Sequence, residues 1–354
     1  MKMSTRNPDR ILKLLMVGVL LSSATLLNGC DMIPGIGDSD DDVVSFYPVL
    51  LDGEWGFINS NGRMVIEPDF RSAGSFSEGL APVRSSSRFG YIDRTGEYAI
   101  EPRFEYAEPF SDGVAAVRID GRWGYIDKNG SVVINPTFVN AGPFSDDRAF
   151  VRTAEYDWEY IDSDGEIVRT SETPRLDNHE YTTFSEGVAL YEGSDDSYGF
   201  IDRDGNPVIP AQYASARAFS EGKAAIKISD RWGFIDRQKK TVISPKYISA
   251  GSFGNKLAPV RDGGNSWGYV DATGTMVIQP SYEDARSFND GVAAVMMNQK
   301  WGYIDRDGNQ LVATEFDEVS DFENGMGRVV RLVGERTTFG YVDAHGKYVW
   351  FPTD

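Results

Sequence analysis

The residues with the types and spacing to do chemistry are few. The chain has one cysteine, Cys30, and two histidines, His179 and His345, against 54 acidic side chains. Acidic pairs recur in Asp162-Ser163-Asp164-Gly165, Asp202-Arg203-Asp204-Gly205 and Asp305-Arg306-Asp307-Gly308, which share the opening of a calcium loop. Such a loop needs further oxygen ligands at set spacing and an acidic closing residue, and these do not follow. An Asp whose carboxylate accepts backbone N–H bonds from the next turn explains the same residue with fewer demands, so no metal site is expected. Glycoside hydrolysis needs two carboxyl groups held about 5–10 Å apart across a sugar, yet the carboxylates here are copied along the chain and no pair stands apart. His179 and His345 lie in different surroundings, without a nucleophile elbow, a phosphate-cradling glycine loop or a Cys/His cluster nearby. The expectation is a protein that is not an enzyme and needs no cofactor.

What positions these residues is a repeat. An aromatic-Gly pair recurs at Trp55-Gly56, Phe89-Gly90, Trp123-Gly124, Tyr198-Gly199, Trp232-Gly233, Trp267-Gly268, Trp301-Gly302 and Phe339-Gly340, with Trp158-Glu159 a degenerate ninth. Successive aromatics are 34, 34, 35, 40, 34, 35, 34 and 38 residues apart, a period that marks a repeat architecture. Four residues after each aromatic stands Asn59 or an Asp (Asp93, Asp127, Asp162, Asp202, Asp236, Asp271, Asp305, Asp343), and a Gly follows in all units but the one at Trp232. A second aromatic and then a Phe complete most units, as in Phe138 and Phe144.

Together these positions resemble the WG repeat family over about residues 47–354. The resemblance implies a bacterial β-rich repeat protein and no particular activity. Within one unit, Val114 to Ile119 alternates as a half-buried strand does, Asp120-Gly121-Arg122 turns the chain, Trp123 to Asp127 forms a second strand, and Ser131 to Ile134 a third that Pro136 should end. The remainder, Thr137 to Asp147, reads as a connector that drops Phe138, Ala141 and Phe144 onto the sheet. The predicted fold class is therefore all-β: a tandem array of about nine three-stranded β-meander WG repeats. A three-stranded unit cannot bury enough apolar surface alone, so neighbours must stack. No strand is left over to complete the opposite end, which favours an open solenoid-like superhelix, with a closed propeller-like toroid as the alternative.

Residues 1–29 differ from everything that follows. Lys2, Arg6, Arg10 and Lys13 precede an apolar run from Leu14 to Leu27, which reads as a secretory signal peptide. It ends in Leu27-Asn28-Gly29-Cys30, which resembles a bacterial lipobox and would make Cys30 the lipid-attachment residue and the new N-terminus. The resemblance also implies, through Asp31, retention on the periplasmic face of the inner membrane if the cell is Gram-negative. Residues 30–46, with Pro34, Gly35, Gly37, Asp38, Asp40, Asp41 and Asp42, read as an acidic flexible linker. Beyond residue 29 the chain has 31 basic and 53 acidic residues, a net charge of −22, and a surface of that sign repels phosphate backbones, so nucleic acid is excluded as a partner. The expected localisation is the cell envelope, lipid-anchored and facing outside the cytoplasm.

With catalysis unsupported, the expected function is binding. The predicted partner is another envelope protein, for which the array acts as a scaffold, or alternatively a cell-wall or surface glycan stacked on aromatic rings. Trp123 and its equivalents interchange with Phe89 and Phe339, which favours a packing role for the repeated aromatic. Unit four departs most from the pattern, and insertions in repeat arrays map to loops on a binding face. Tyr156, Trp158, His179 and Tyr181 are accordingly the candidate ligand-binding residues.

Overall fold

The computed structural model describes residues 45–155, 158–168, 183–193, 195–334 and 336–351. All regular elements among them are strands, grouped into nine small antiparallel sheets. The first sheet contains Phe46–Leu51, Glu54–Asn59 and Met64–Phe70; the second adds a short leading strand, Ser72–Ala73, to Ala81–Arg84, Phe89–Ile92 and Tyr98–Phe104. This second pattern is the general one: seven sheets are four-stranded, while the first and the fifth (Val188–Glu192, Tyr198–Asp202, Pro207–Tyr213) have three.

Two local expectations need correction. The connector contributes a strand of its own, because its backbone hydrogen-bonds to the following hairpin: Arg71 N donates to Arg84 O at 2.7 Å and Gly74 N to Pro82 O at 2.8 Å. The third strand does not stop at the proline either. It runs Val132–Phe138 through Pro136, with Trp123 opposite Phe138 and a bulge between Trp123 and Tyr125. Proline is tolerated because this strand is the edge of its sheet, where a missing N–H costs no ladder bond.

The glycine of each aromatic-Gly pair explains the bulge. A Cβ on Gly124 would lie 2.5 Å from Ile134 O and 2.7 Å from Pro136 N, and the equivalent distances at Gly56, Gly90, Gly233 and Gly268 are 2.5–2.6 Å to the same carbonyl position and 2.6–2.8 Å to the proline nitrogen. Only glycine lets the second strand approach the bulged third strand so closely. The Asp or Asn closing the second strand then fixes the next turn. Asp127 Oδ1 accepts from Asn129 N and Ser131 N at 2.9 and 2.8 Å, and the same pair of bonds recurs in all nine units, from Asn59 to Asp343.

The core lies between sheets rather than within them. Tyr91, Ile100 and Phe104 of the second sheet share one cluster with Ala107, Phe110, Ala115, Val117 and Ile126 of the third. At each of eight junctions the connector Phe wedges against an aromatic of the preceding sheet: Phe57–Phe76, Tyr91–Phe110, Tyr125–Phe144, Tyr160–Phe184, Phe200–Phe219, Phe234–Phe253, Tyr269–Phe288 and Tyr303–Phe322, with centroids 4.8–5.0 Å apart. Edge-to-face and tilted contacts of this kind add to the area they bury.

The array closes. Tyr47, Val49 and Ile58 of the first sheet form a cluster with Met326 and Tyr341 of the ninth (Glu318–Val319, Met326–Val333, Arg336–Asp343, Tyr348–Trp350). Trp55 stacks on Phe339 at 5.5 Å, Tyr341 OH donates to Pro48 O at 2.9 Å, and Tyr47 OH donates to Asn324 O. The open superhelix is thus replaced by its alternative, a nine-sheet toroid. The expectation failed because it demanded a completing strand, whereas side-chain packing and two tyrosine hydroxyls make the joint.

Candidate interaction surfaces of the ring

Most polar groups that recur in the sequence are occupied in holding neighbours together. The serine after the connector Phe donates to the carbonyl of the next connector Phe: Ser77 to Phe110 (2.6 Å), Ser111 to Phe144 (2.6 Å), Ser145 to Phe184 (2.8 Å), Ser185 to Phe219 (2.8 Å) and Ser220 to Phe253 (2.7 Å). Asn289 replaces the serine and reaches Phe322 O. Gly254 cannot do so: a Cβ there would sit 2.0 Å from Phe288 O, and Ser287 instead bonds back to Ser252 O. The acids one residue further on accept from the next turn, as Glu78 does from Gly113 N, Asp112 from Asp147 N and Asp290 from Gly325 N.

The buried tyrosines are spent in the same way. Tyr91 OH donates to Glu108 O, Tyr125 OH to Gly142 O, Tyr269 OH to Arg286 O and Tyr303 OH to Ser320 O, at 2.7–2.8 Å. Burial raises the phenol pKa of each well above its ordinary value, and pushes that of Tyr341 up to about 12. Several turn carboxylates shift the other way. The hydroxyl of Thr95 holds Asp93 below the usual carboxylate range, and that of Thr273 does the same for Asp271.

The repeated indole is half-buried in most units, with an aromatic or arginine side chain packed beside it. Trp123 meets Tyr106 at 5.6 Å, Trp158 stacks on Phe150 at 4.7 Å, and Arg217, Arg261 and Arg286 lie 5.5, 5.9 and 4.6 Å from the ring centres of Trp232, Trp267 and Trp301. Trp158 is therefore part of the junction packing in the fourth sheet. Cys30, Tyr156, His179 and Tyr181 lie outside the described residues. His345 is exposed in the last turn, where its N–H donates to Asp343 Oδ1.

Two features were missed in the sequence. The third strand forms the outer edge of every sheet, and at matching positions it exposes Val65, Val133, Val208 and Val277, joined by Val132 and Ile167. The signal was present: the x-Val-Ile triplet opening the third strand buries its Ile and exposes the residue before it. The other feature is a cavity of about 430 Å³ at the joint of first and ninth sheets, lined by Tyr47, Pro48, Phe76, Phe322, Met326 and Tyr341 among others.

A closed ring of nine like sheets, each stabilised mainly by its neighbours, defines a propeller-type repeat protein. The profile of the WG containing repeat family matches residues 55–86, 89–123, 123–155, 198–232, 232–265, 267–301 and 301–331, and the chain belongs to that family. No curated protein matches it. Among solved structures it is similar to a eukaryotic initiation factor, at 9% identity and TM-score 0.59 over 86% of this chain and 95% of that one. It is also similar to BamB from Moraxella catarrhalis, at 11% identity and TM-score 0.45 over 81% and 96%. At 9% identity the likeness to the initiation factor is one of fold.

Proposed function

We propose that the chain is a lipid-anchored envelope protein whose WG ring binds or scaffolds another protein and does no catalysis. The observation that carries this reading is the outer rim: edge strands that leave apolar side chains exposed at repeated positions, Val133 at 47% and Val277 at 45%. Exposed edges with apolar side chains are where proteins add a partner's strand or bury a partner's surface. Edge prolines, Pro68, Pro102, Pro136, Pro210, Pro245 and Pro280, interrupt six of the nine edges and limit uncontrolled pairing there. The engagement of turn carboxylates and tyrosine hydroxyls in the fold leaves these groups with structural work, which supports the absence of catalysis.

A glycan partner has less support, because each indole named above already packs against an arginine or aromatic side chain and so is held in the fold. The anchor rests on the sequence before residue 31. Metabolic labelling with a palmitate analogue should mark the chain and be abolished by Cys30→Ser; labelling that survives the substitution removes the anchor. Cross-linking in intact envelopes followed by capture of the chain should recover a reproducible protein partner, and replacing Val133 and Val277 by Glu should reduce its yield. Recovery of no partner, or recovery indifferent to the rim, refutes the binding reading.

A further inference from the structure

The first sheet differs from the general pattern at one edge. In the seven four-stranded sheets a connector strand runs along the first hairpin strand; among the described residues no strand lies on that edge of Phe46–Leu51 or of Val188–Glu192 in the fifth sheet, but the fifth keeps its connector Phe184 at the junction and the first does not. Register identifies what would be bound there. Ala81–Arg84 corresponds to Tyr47 to Leu50, since Arg84 faces Phe89 as Leu50 faces Trp55. The carbonyls that accept connector N–H groups in the second sheet, Pro82 O and Arg84 O, therefore correspond to Pro48 O and Leu50 O.

The cavity at the joint lies where the connector's aromatic would sit. At the eight other junctions a connector Phe packs on the aromatic of the preceding sheet at 4.8–5.0 Å. At the ninth, the corresponding aromatic, Tyr341, meets no connector Phe among the described residues but Tyr47, a strand residue, at 5.6 Å, and both rings line the cavity with Met326. Tyr341 OH goes to Pro48 O, whereas Tyr303 OH reaches both the equivalent Arg328 O and a connector carbonyl, Ser320 O.

We propose that this edge and cavity bind an extended peptide of connector chemistry from a partner protein, with a small residue three positions before a Phe. The occupied sites supply the rule: Ala73 precedes Phe76, Ala107 precedes Phe110, and the spacing holds for Ala141 with Phe144, Ala216 with Phe219, Ala250 with Phe253 and Ala285 with Phe288. The small residue lies on the neighbouring strand, its N–H and carbonyl neighbours extend the sheet by strand addition, and the Phe fills the cavity. Hydrogen bonding narrows the choice further. Arg217 Nε and Arg286 Nη1, each the residue after the Ala of its connector, donate to Ala250 O and Val319 O of the next connector at 2.8 and 3.0 Å, and Ala73 O is the equivalent carbonyl in the connector that follows the first sheet. A basic residue following the Ala is therefore favoured, as in Ala216-Arg217-Ala218-Phe219.

This inference deepens the protein-binding reading by naming one site and one ligand class. The test uses the full chain and a synthetic peptide of residues 213–222, fluorescently labelled, with a second version carrying a photoreactive benzoylphenylalanine in place of Phe219. Saturable binding is expected, weakened at least tenfold in the peptide with Phe219→Ala, and the photo-crosslinks should map to Tyr47, Met326 and Tyr341. Absent binding, equal binding of the Phe219→Ala peptide, or crosslinks scattered over the other sheets would each overturn it. An envelope partner whose capture is undiminished by excess peptide would keep the scaffold reading while rejecting this site as its contact.

Discussion

The aromatic-Gly pair makes a prediction that separates two uses of glycine in one sheet. Gly222 sits in a turn with φ of +71° and open space around its would-be Cβ; Gly233 has no positive φ, but a Cβ there would lie 2.5 Å from Ile243 O and 2.6 Å from Pro245 N. Gly222→Ala therefore costs only the left-handed backbone penalty of about 1 kcal/mol. Gly233→Ala must move backbone: reaching even 3.0 Å requires 0.5 Å of separation, and an ordinary 3.4 Å contact requires 0.9 Å. The strands that must part are tied at Trp232 to Tyr247 and at Phe234 to Ile243, so no flexible side chain can absorb the shift. Overpacking against fixed neighbours costs about 3 kcal/mol, the upper end of its usual range. Urea titrations of both variants, followed by tryptophan fluorescence and circular dichroism, measure the difference. Equal losses, or a smaller loss at Gly233, would refute the close-approach explanation of the repeat's signature.

Other outcomes follow from the bonds between sheets. Ser111→Ala removes the hydroxyl donated to Phe144 O and should cost about 1 kcal/mol in the same titration. Tyr125→Phe deletes the bond to Gly142 O at a similar cost of about 1 kcal/mol, with the ring still closed, since Phe57, Phe200 and Phe234 occupy the matching position; a failure to fold would contradict this. Phenols with raised folded-state pKa values contribute stability that is complete below the unfolded value of 10.0 and is lost as pH rises through the folded value, so unfolding above pH 10 should coincide with ionisation of the buried tyrosines by ultraviolet difference absorbance. Asp93 and Asp271, with lowered values, contribute stability present above 3.8 and lost as pH falls through their folded values. Replacing Asp271 by Asn should flatten that acid limb in a pH series of thermal melts.

The parts of the fold that depend on local chemistry were legible in the residues. Alternation in Val114 to Ile119, the turn at Gly121 and the Asp127 turn all stand where spacing put them. The connector strand was not legible because two residues such as Ser72 and Ala73 are too short to show a period, and the passage through Pro136 depends on which strand is the edge. Closure was hidden for a different reason. It is made by Tyr47, Asn324, Pro48 and Tyr341, separated by 277 and 293 residues within the two bonded pairs, and no periodicity links residues so far apart. The candidate cluster in unit four departs from the pattern, whereas the joint cavity arises from the pattern itself, at the one junction that has no connector Phe among the described residues.

Ring closure is the claim on which the joint, its cavity and the repeated rim all depend, and one cross-link tests it. A Cβ on Gly62 would lie 2.1 Å from Val349 O, so the exposed residues Asn61 and Lys347 flank a contact between the first and ninth sheets. In a Cys30→Ser background, Asn61→Cys with Lys347→Cys should be joined within one chain by a short bismaleimide at dilute protein, giving a monomer of altered gel mobility and a cross-linked peptide by mass spectrometry. Reaction only between chains, or none while each cysteine alone is fully modified, would mean that the nine sheets do not form a ring.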